Sequence, residues 1–142
     1  MGDLSLHFSR HEFALPEAKA ARHGCEPAEY PPEWVEARLA PLVRALEVIR
    51  AEFGGKPVRI VSAYRPLEYN RKIGSEDTSQ HVQGRAADFQ IAGVEPKAIW
   101  DRMLALRHIG RLEIGGAGVY DEFVHVDVRG GSLHTWDERT RK

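Results

Sequence analysis

Leu39, Leu42, Val43, Leu46 and Ile49 recur at three- and four-residue spacing, the period of a helix with one apolar face. Pro31 and Pro32 stand where such a helix opens, and Gly54 and Gly55 where it stops. Pro41 either kinks it or marks where its regular part begins. Upstream, Ser9 followed by Glu12 has capping-box spacing and predicts a short helix over 13–22, closed by Gly24 and open to interruption at Pro16. A third helix is predicted over 96–106, where Ile99, Trp100, Met103, Leu104 and Leu106 follow Pro96 in helical spacing.

The remaining apolar runs are short. Residues 58–63 read as a strand between a glycine-lysine-proline entry and the turn Tyr64-Arg65-Pro66. A polar, glycine-containing loop over 74–80 precedes a buried strand over 86–91. Strands over 112–114 and 123–128 complete the sheet, joined through glycines 115, 116 and 118. In the last strand, alternation puts Phe123, His125 and Asp127 on one face and Val124, Val126 and Val128 on the other. Helices first, then a β-rich half with one intervening helix, predict an α+β fold. Residues 1–56 form a helical part, 57–136 the core, and the charged residues 137–142 a fraying tail.

Length and composition narrow the functional classes. A chain of 142 residues with 42% hydrophobic and 29% charged residues is a single soluble globular domain with one site to find. Twenty basic against 21 acidic residues leave a net charge of -1, so no global field draws it to nucleic acid or anionic lipid. Cys25 is the only cysteine, which excludes an internal disulfide and a thiolate metal cluster. No apolar stretch approaches the length of a membrane span. Residues 1–10 lack the pattern of a secretory signal, so a cytoplasmic monomer is expected. Leu6 stands where a myristoylation signal beginning at Gly2 needs Ser or Thr.

Two runs carry chemistry. The first, from Ser79 to Phe89, ends a polar loop with His81 and sets Asp88 inside an apolar strand. A buried, unpaired carboxylate costs several kcal/mol, so Asp88 needs a cation, either a divalent metal or a nearby arginine. Gly84 and Ala86 let the loop turn tightly enough to bring both side chains to one point. The second run, Asp121 to Val128, carries His125 and Asp127 on the face away from the valines. Taken singly, each histidine reads as an ordinary loop or core residue. Two histidines and one carboxylate from separate segments, however, are the ligand set of a catalytic zinc that keeps one position for water.

The pattern Ser-x-His-x-x-Gly-x-Ala-x-Asp over 79–88, followed by a strand carrying His-x-Asp at 125–127, resembles two groups of wall-cutting enzymes. These are the zinc D-Ala-D-Ala carboxypeptidases and the phage L-alanyl-D-glutamate endopeptidases, within the lysostaphin, D-Ala-D-Ala peptidase and hedgehog fold group. The likeness covers 57–136 and implies a small, mainly antiparallel sheet with helices packed on one side. It implies one Zn2+ held by His81, Asp88 and His125, and a peptidoglycan peptide as substrate, as in a phage or prophage product released at lysis. Arg65 falls on an arginine that binds a substrate carbonyl or carboxylate oxygen, and Ser79 on a serine near the substrate carboxylate. Glu122 stands where the group places its catalytic carboxylate, with Asp121 as the alternate because strand alternation puts Asp121, not Glu122, on the face of His125. A bulge at 120–123 would re-aim Glu122. Asp127 is expected behind a metal ligand or Arg65, accepting its outward N–H. Phe123 departs from relatives that carry histidine there, so a second group assisting the transition state must come from elsewhere, with His134 a weak candidate. That departure also leaves open a zinc-stabilised binding module without useful catalysis.

Overall fold

The computed structural model describes residues 2–141. Among them are four α-helices, α1 (Glu17–Arg22), α2 (Ala40–Glu52), α3 (Leu67–Lys72) and α4 (Pro96–His108). Five strands, β1 (Val58–Ser62), β2 (Ala86–Ile91), β3 (Gly116–Val119), β4 (Val124–Asp127) and β5 (His134–Asp137), form one sheet in the order β1-β2-β4-β3-β5. All neighbours are antiparallel except β3 and β5. The fold is α+β, as the order of elements predicts.

Alternation decides which face of the sheet is covered. Ala87, Phe89, Ile91, Ala117, Val124 and Val126 point to one side and join Leu42, Leu46 and Ile49 of α2 and Ile99, Met103 and Leu106 of α4 in a single buried cluster. Each fully buried Leu, Ile or Phe contributes about 1.5–3 kcal/mol, so this layer fixes the strand register. The opposite face is left to Asp88, His125 and Asp127. A bulge between Ile60 and Ser62 shifts β1 so that Ser62 lies opposite Asp88, adding a hydroxyl to that polar face.

Several elements differ from the sequence reading, each for a local reason. The helix expected over 13–22 is split into a 3-10 turn (Arg10–Phe13) and α1, because Pro16 sits at the junction and caps the second piece. Glu12 accepts from the Ser9 amide at 2.6 Å, as the capping-box spacing implies. Pro41 lies in the first turn of α2, after a 3-10 turn and a wide π turn (Val35–Leu39). Residues 112–114 belong to no strand, and the glycine segment expected to be a linker is itself β3. Helix α3 and strand β5 have no apolar periodicity and escape the sequence reading. Asp137, assigned there to a fraying tail, ends β5, and the Glu138 amide bonds to Val119 O at 2.8 Å. Lys142 of that tail lies outside the described residues.

Gly84 is the tightest point of the loop before β2. Its φ is +69°, and a Cβ there would lie 2.8 Å from Tyr30 Oη and 2.9 Å from Trp34 Cε3. Tyr30 in turn donates to Gly84 O at 2.5 Å, anchoring the loop to the N-terminal part. Gly84→Ala is therefore expected to lower stability by about 1–3 kcal/mol, seen as a lower urea midpoint at unchanged slope. An unchanged midpoint would show that the loop tolerates a side chain.

Candidate metal centre

Asp88 and His125 are direct cross-strand partners on β2 and β4, so their side chains rise together from the uncovered face. His81 reaches the same point from the loop that Gly84 turns. The three are 4%, 6% and 3% exposed respectively, and one ligand atom from each lies within 4.8 Å of the other two.

The hydrogen bonds settle which ring nitrogens face inward. His81 Nδ1 lies 2.7 Å from Ala63 O; a carbonyl only accepts, so Nδ1 carries the proton and Nε2 keeps a lone pair. His125 Nε2 lies 2.8 Å from Asp127 Oδ2, which by the same argument leaves Nδ1 with the lone pair. Both lone pairs point at one atom: Asp88 Oδ1 is 3.2 Å from His81 Nε2 and 3.0 Å from His125 Nδ1. Three electron-rich atoms so placed repel one another unless a cation or proton lies among them. A divalent ion with two imidazoles and a carboxylate removes the repulsion, and the donor set is that of an open zinc site.

The electrostatics point the same way. Burial alone would push the Asp88 carboxyl up, but His81 and His125 outweigh it and hold Asp88 well below the usual carboxylate range. Burial pulls the His81 imidazole down, keeping it in the neutral form a metal needs. For His125 burial also pulls down, yet its bonds to Asp127 and Asp88 prevail and raise it: the site favours positive charge between His125 and Asp88, supplied by a proton or by a metal that displaces it. Asp127 is fully buried and anionic because Arg129 grips it through Nε at 2.8 Å and Nη2 at 2.6 Å. Gly116 makes this possible, since a Cβ there would lie 2.2 Å from Asp127 Oδ2.

Arg65 leaves the end of β1 and places Nη2 3.4 Å from Asp88 Oδ2. Its Nε donates to Ser62 Oγ at 3.2 Å and its Nη1 to Asn70 Oδ1 at 3.4 Å. Asn70, on α3, is fully buried and donates to Glu76 O at 2.7 Å, tying the helix to the loop before His81. Ser79 accepts from the His81 amide at 3.2 Å, beside the cluster and holding its loop. The two acidic candidates part company. Asp121 accepts from the Thr140 amide and hydroxyl, each at 2.9 Å, and is committed to the chain end. Glu122 lies in the turn between β3 and β4, where Tyr120 N bonds to Phe123 O at 3.0 Å, so strand alternation does not govern it. Its carboxylate is exposed and makes no hydrogen bond or ion pair among the described residues, while its carbonyl accepts from Gln90 Nε2 at 2.8 Å. His134 is exposed on β5 and outside the cluster. Sequence reasoning passed over Asn70, Arg129, Tyr120 and Trp136, which gather around the ligands; the His-x-Asp-x-Arg spacing of 125–129 is the one signal that pointed to any of them.

The sequence profile of the peptidase M15 family matches residues 6–127. The chain is 34% identical over 88 residues to the peptidoglycan L,D-endopeptidase MepK of Escherichia coli K12, covering 57% of this chain and 44% of that protein. It is 30% identical over 91 residues to the zinc D-Ala-D-Ala carboxypeptidase of Streptomyces albus G, covering 64% of this chain and 34% of that one. A probable MepK of Haemophilus influenzae is 31% identical over 86 residues, covering 56% and 42%. The chain thus spans less than half the length of these curated relatives. With a profile that takes in most of its length and the buried His-Asp-His cluster inside the matched span, the chain belongs to the peptidase M15 family.

Proposed function

We propose that this protein is a zinc-dependent peptidase that hydrolyses stem peptides of peptidoglycan. The observation that carries the reading is the convergence of two imidazole lone pairs and one carboxylate oxygen at the floor of the uncovered sheet face. His81, Asp88 and His125 would hold the metal, leaving a position for solvent. Zinc in such a site acts as a Lewis acid and brings the pKa of water to about 7.

The remaining work falls to side chains around the cluster. Glu122, three residues before His125 and without a side-chain partner among the described residues, is the general base that takes the proton of the attacking water and passes it to the leaving amine. Its exposure leaves it free to close on substrate, because catalytic contacts tighten only in the complex. Arg65 is held by Ser62 and Asn70 with its guanidinium against Asp88, where it can donate to the oxygen of the scissile carbonyl or to a substrate carboxylate. Ser79 borders the same point and offers a hydroxyl to that carboxylate. Asp127, clamped by Arg129, keeps the His125 tautomer that faces Nδ1 to the metal. The names of the relatives support a peptidoglycan substrate, with both L,D-endopeptidase and D,D-carboxypeptidase chemistry among them. Either would use the same set of groups.

Three outcomes are expected. Purified peptidoglycan incubated with the protein should yield new termini by mass spectrometry, abolished by a chelator and restored by zinc; no metal-dependent product would favour a binding module instead. His81→Ala should lose the bound zinc altogether, whereas Asp127→Asn should weaken zinc affinity by about 10–100-fold, both read by competition with a chromophoric chelator. Equal zinc affinity in all three proteins would contradict the ligand assignment. Glu122→Gln should keep zinc and lose at least about a hundredfold in turnover; cleavage at the wild-type rate would move the base to another residue.

A further inference from the structure

Strand β3 has no side chain on the uncovered face at Gly118, and something else lies there. A Cβ at Gly118 would fall 2.2 Å from Trp136 Nε1, so the indole rests directly on the strand. Gly118 pairs with His125 on one side and with Trp136 on the other, which brings the indole to 4.9 Å from the His125 ring, centroid to centroid. From this position Trp136 Nε1 donates to Tyr120 Oη at 2.9 Å. The Tyr120 ring is stacked on Phe123 at 4.5 Å and 19°. The phenol is therefore held at its face by one aromatic ring and at its oxygen by another.

The direction of that hydrogen bond matters. An indole N–H can only donate, so Tyr120 Oη accepts, and its own proton is left over. Among the described residues the hydroxyl donates to nothing. Burial pushes the phenol up, opposed by the bond from Trp136 and reinforced by Asp88, so it keeps its proton at neutral pH; the indole that holds its oxygen lies against the His125 ring, which sets the phenol beside the cluster. An oriented donor with no acceptor among the described residues, one ring away from His125, is what a developing negative charge on a substrate oxygen requires.

We propose that Tyr120 is a catalytic residue whose hydroxyl, aimed by Trp136 and Phe123, donates a hydrogen bond to the oxygen of the scissile carbonyl as that oxygen gains negative charge. The proton stays on the phenol throughout. This rests on the peptidase reading above. It also gives Phe123 a purpose: where related enzymes carry an imidazole, this chain carries the ring on which a neighbouring donor is stacked.

The test uses the zinc-loaded protein with purified stem-peptide fragments, and compares wild type, Tyr120→Phe and Trp136→Phe. Tyr120→Phe should keep its zinc and its melting temperature and lose about a hundredfold in kcat with KM little changed. Calorimetry should show a phosphinate analogue of the peptide bound about a hundredfold more weakly, with the affinity for the cleaved product unaltered. Trp136→Phe keeps the hydroxyl but frees its orientation, and should fall between the two. A Tyr120→Phe protein that cuts as fast as wild type, or that loses phosphinate and product affinity equally, would overturn the assignment of Tyr120 while leaving the peptidase reading intact. A wild type that cuts nothing would overturn both.

Discussion

The whole uncovered face is organised around one electrostatic conflict, the meeting of two imidazole lone pairs with a single buried carboxylate oxygen. Asp88 Oδ1 has His81 Nε2 at 3.2 Å and His125 Nδ1 at 3.0 Å. Ala63 O and Asp127 take the N–H on the far side of each ring, so the two inward nitrogens meet Asp88 favourably only across a shared cation or proton. Such an arrangement is costly in a protein interior without a cation. That the fold spends a buried Asp127, a bidentate Arg129 and a backbone carbonyl on holding it in place argues that the cation is the point of the arrangement.

The sheet supplies what the conflict needs. Its valine face is packed on α2 and α4, which fixes β2 against β4 in register and so fixes Asp88 opposite His125 to within the play of two side chains. The edge of the cluster is shaped by missing side chains. Gly84 lets the His81 loop turn under Tyr30 and Trp34, Gly116 makes room for the Asp127 carboxylate, and Gly118 for the Trp136 indole. Each of these glycines is required by a close approach beside the His-Asp-His cluster or the groups that support it.

Where the sequence was legible, the reason is periodicity or burial of charge. The apolar spacing of α2 and α4 and the short apolar runs of β1, β2 and β4 follow from the core they fill, so alternation identified His125 and Asp127 as facing away from it. Asp88 stood out because a carboxylate between Ala87 and Phe89 has to be paid for. Strand β3 could not be read, since a strand whose outer positions are glycines looks like a linker; only the partners that fill the gaps, Asp127 and Trp136, reveal it. Strand β5 and helix α3 have no apolar face to announce them, and with them went Trp136 and Asn70. The turn at 120–123 releases Glu122 from the alternation that sets it against Asp121, and the tie of Asp121 to Thr140 depends on a polar segment with no pattern to announce it.

The metal geometry is the foundation of this account, and X-ray absorption at the zinc edge of the loaded protein examines it directly. The spectrum should show two imidazole nitrogens and a carboxylate oxygen at about 2.0–2.2 Å, completed by a light atom that exchanges with added small anions. A fourth, non-exchanging protein ligand, or a coordination shell without two imidazoles, would contradict it.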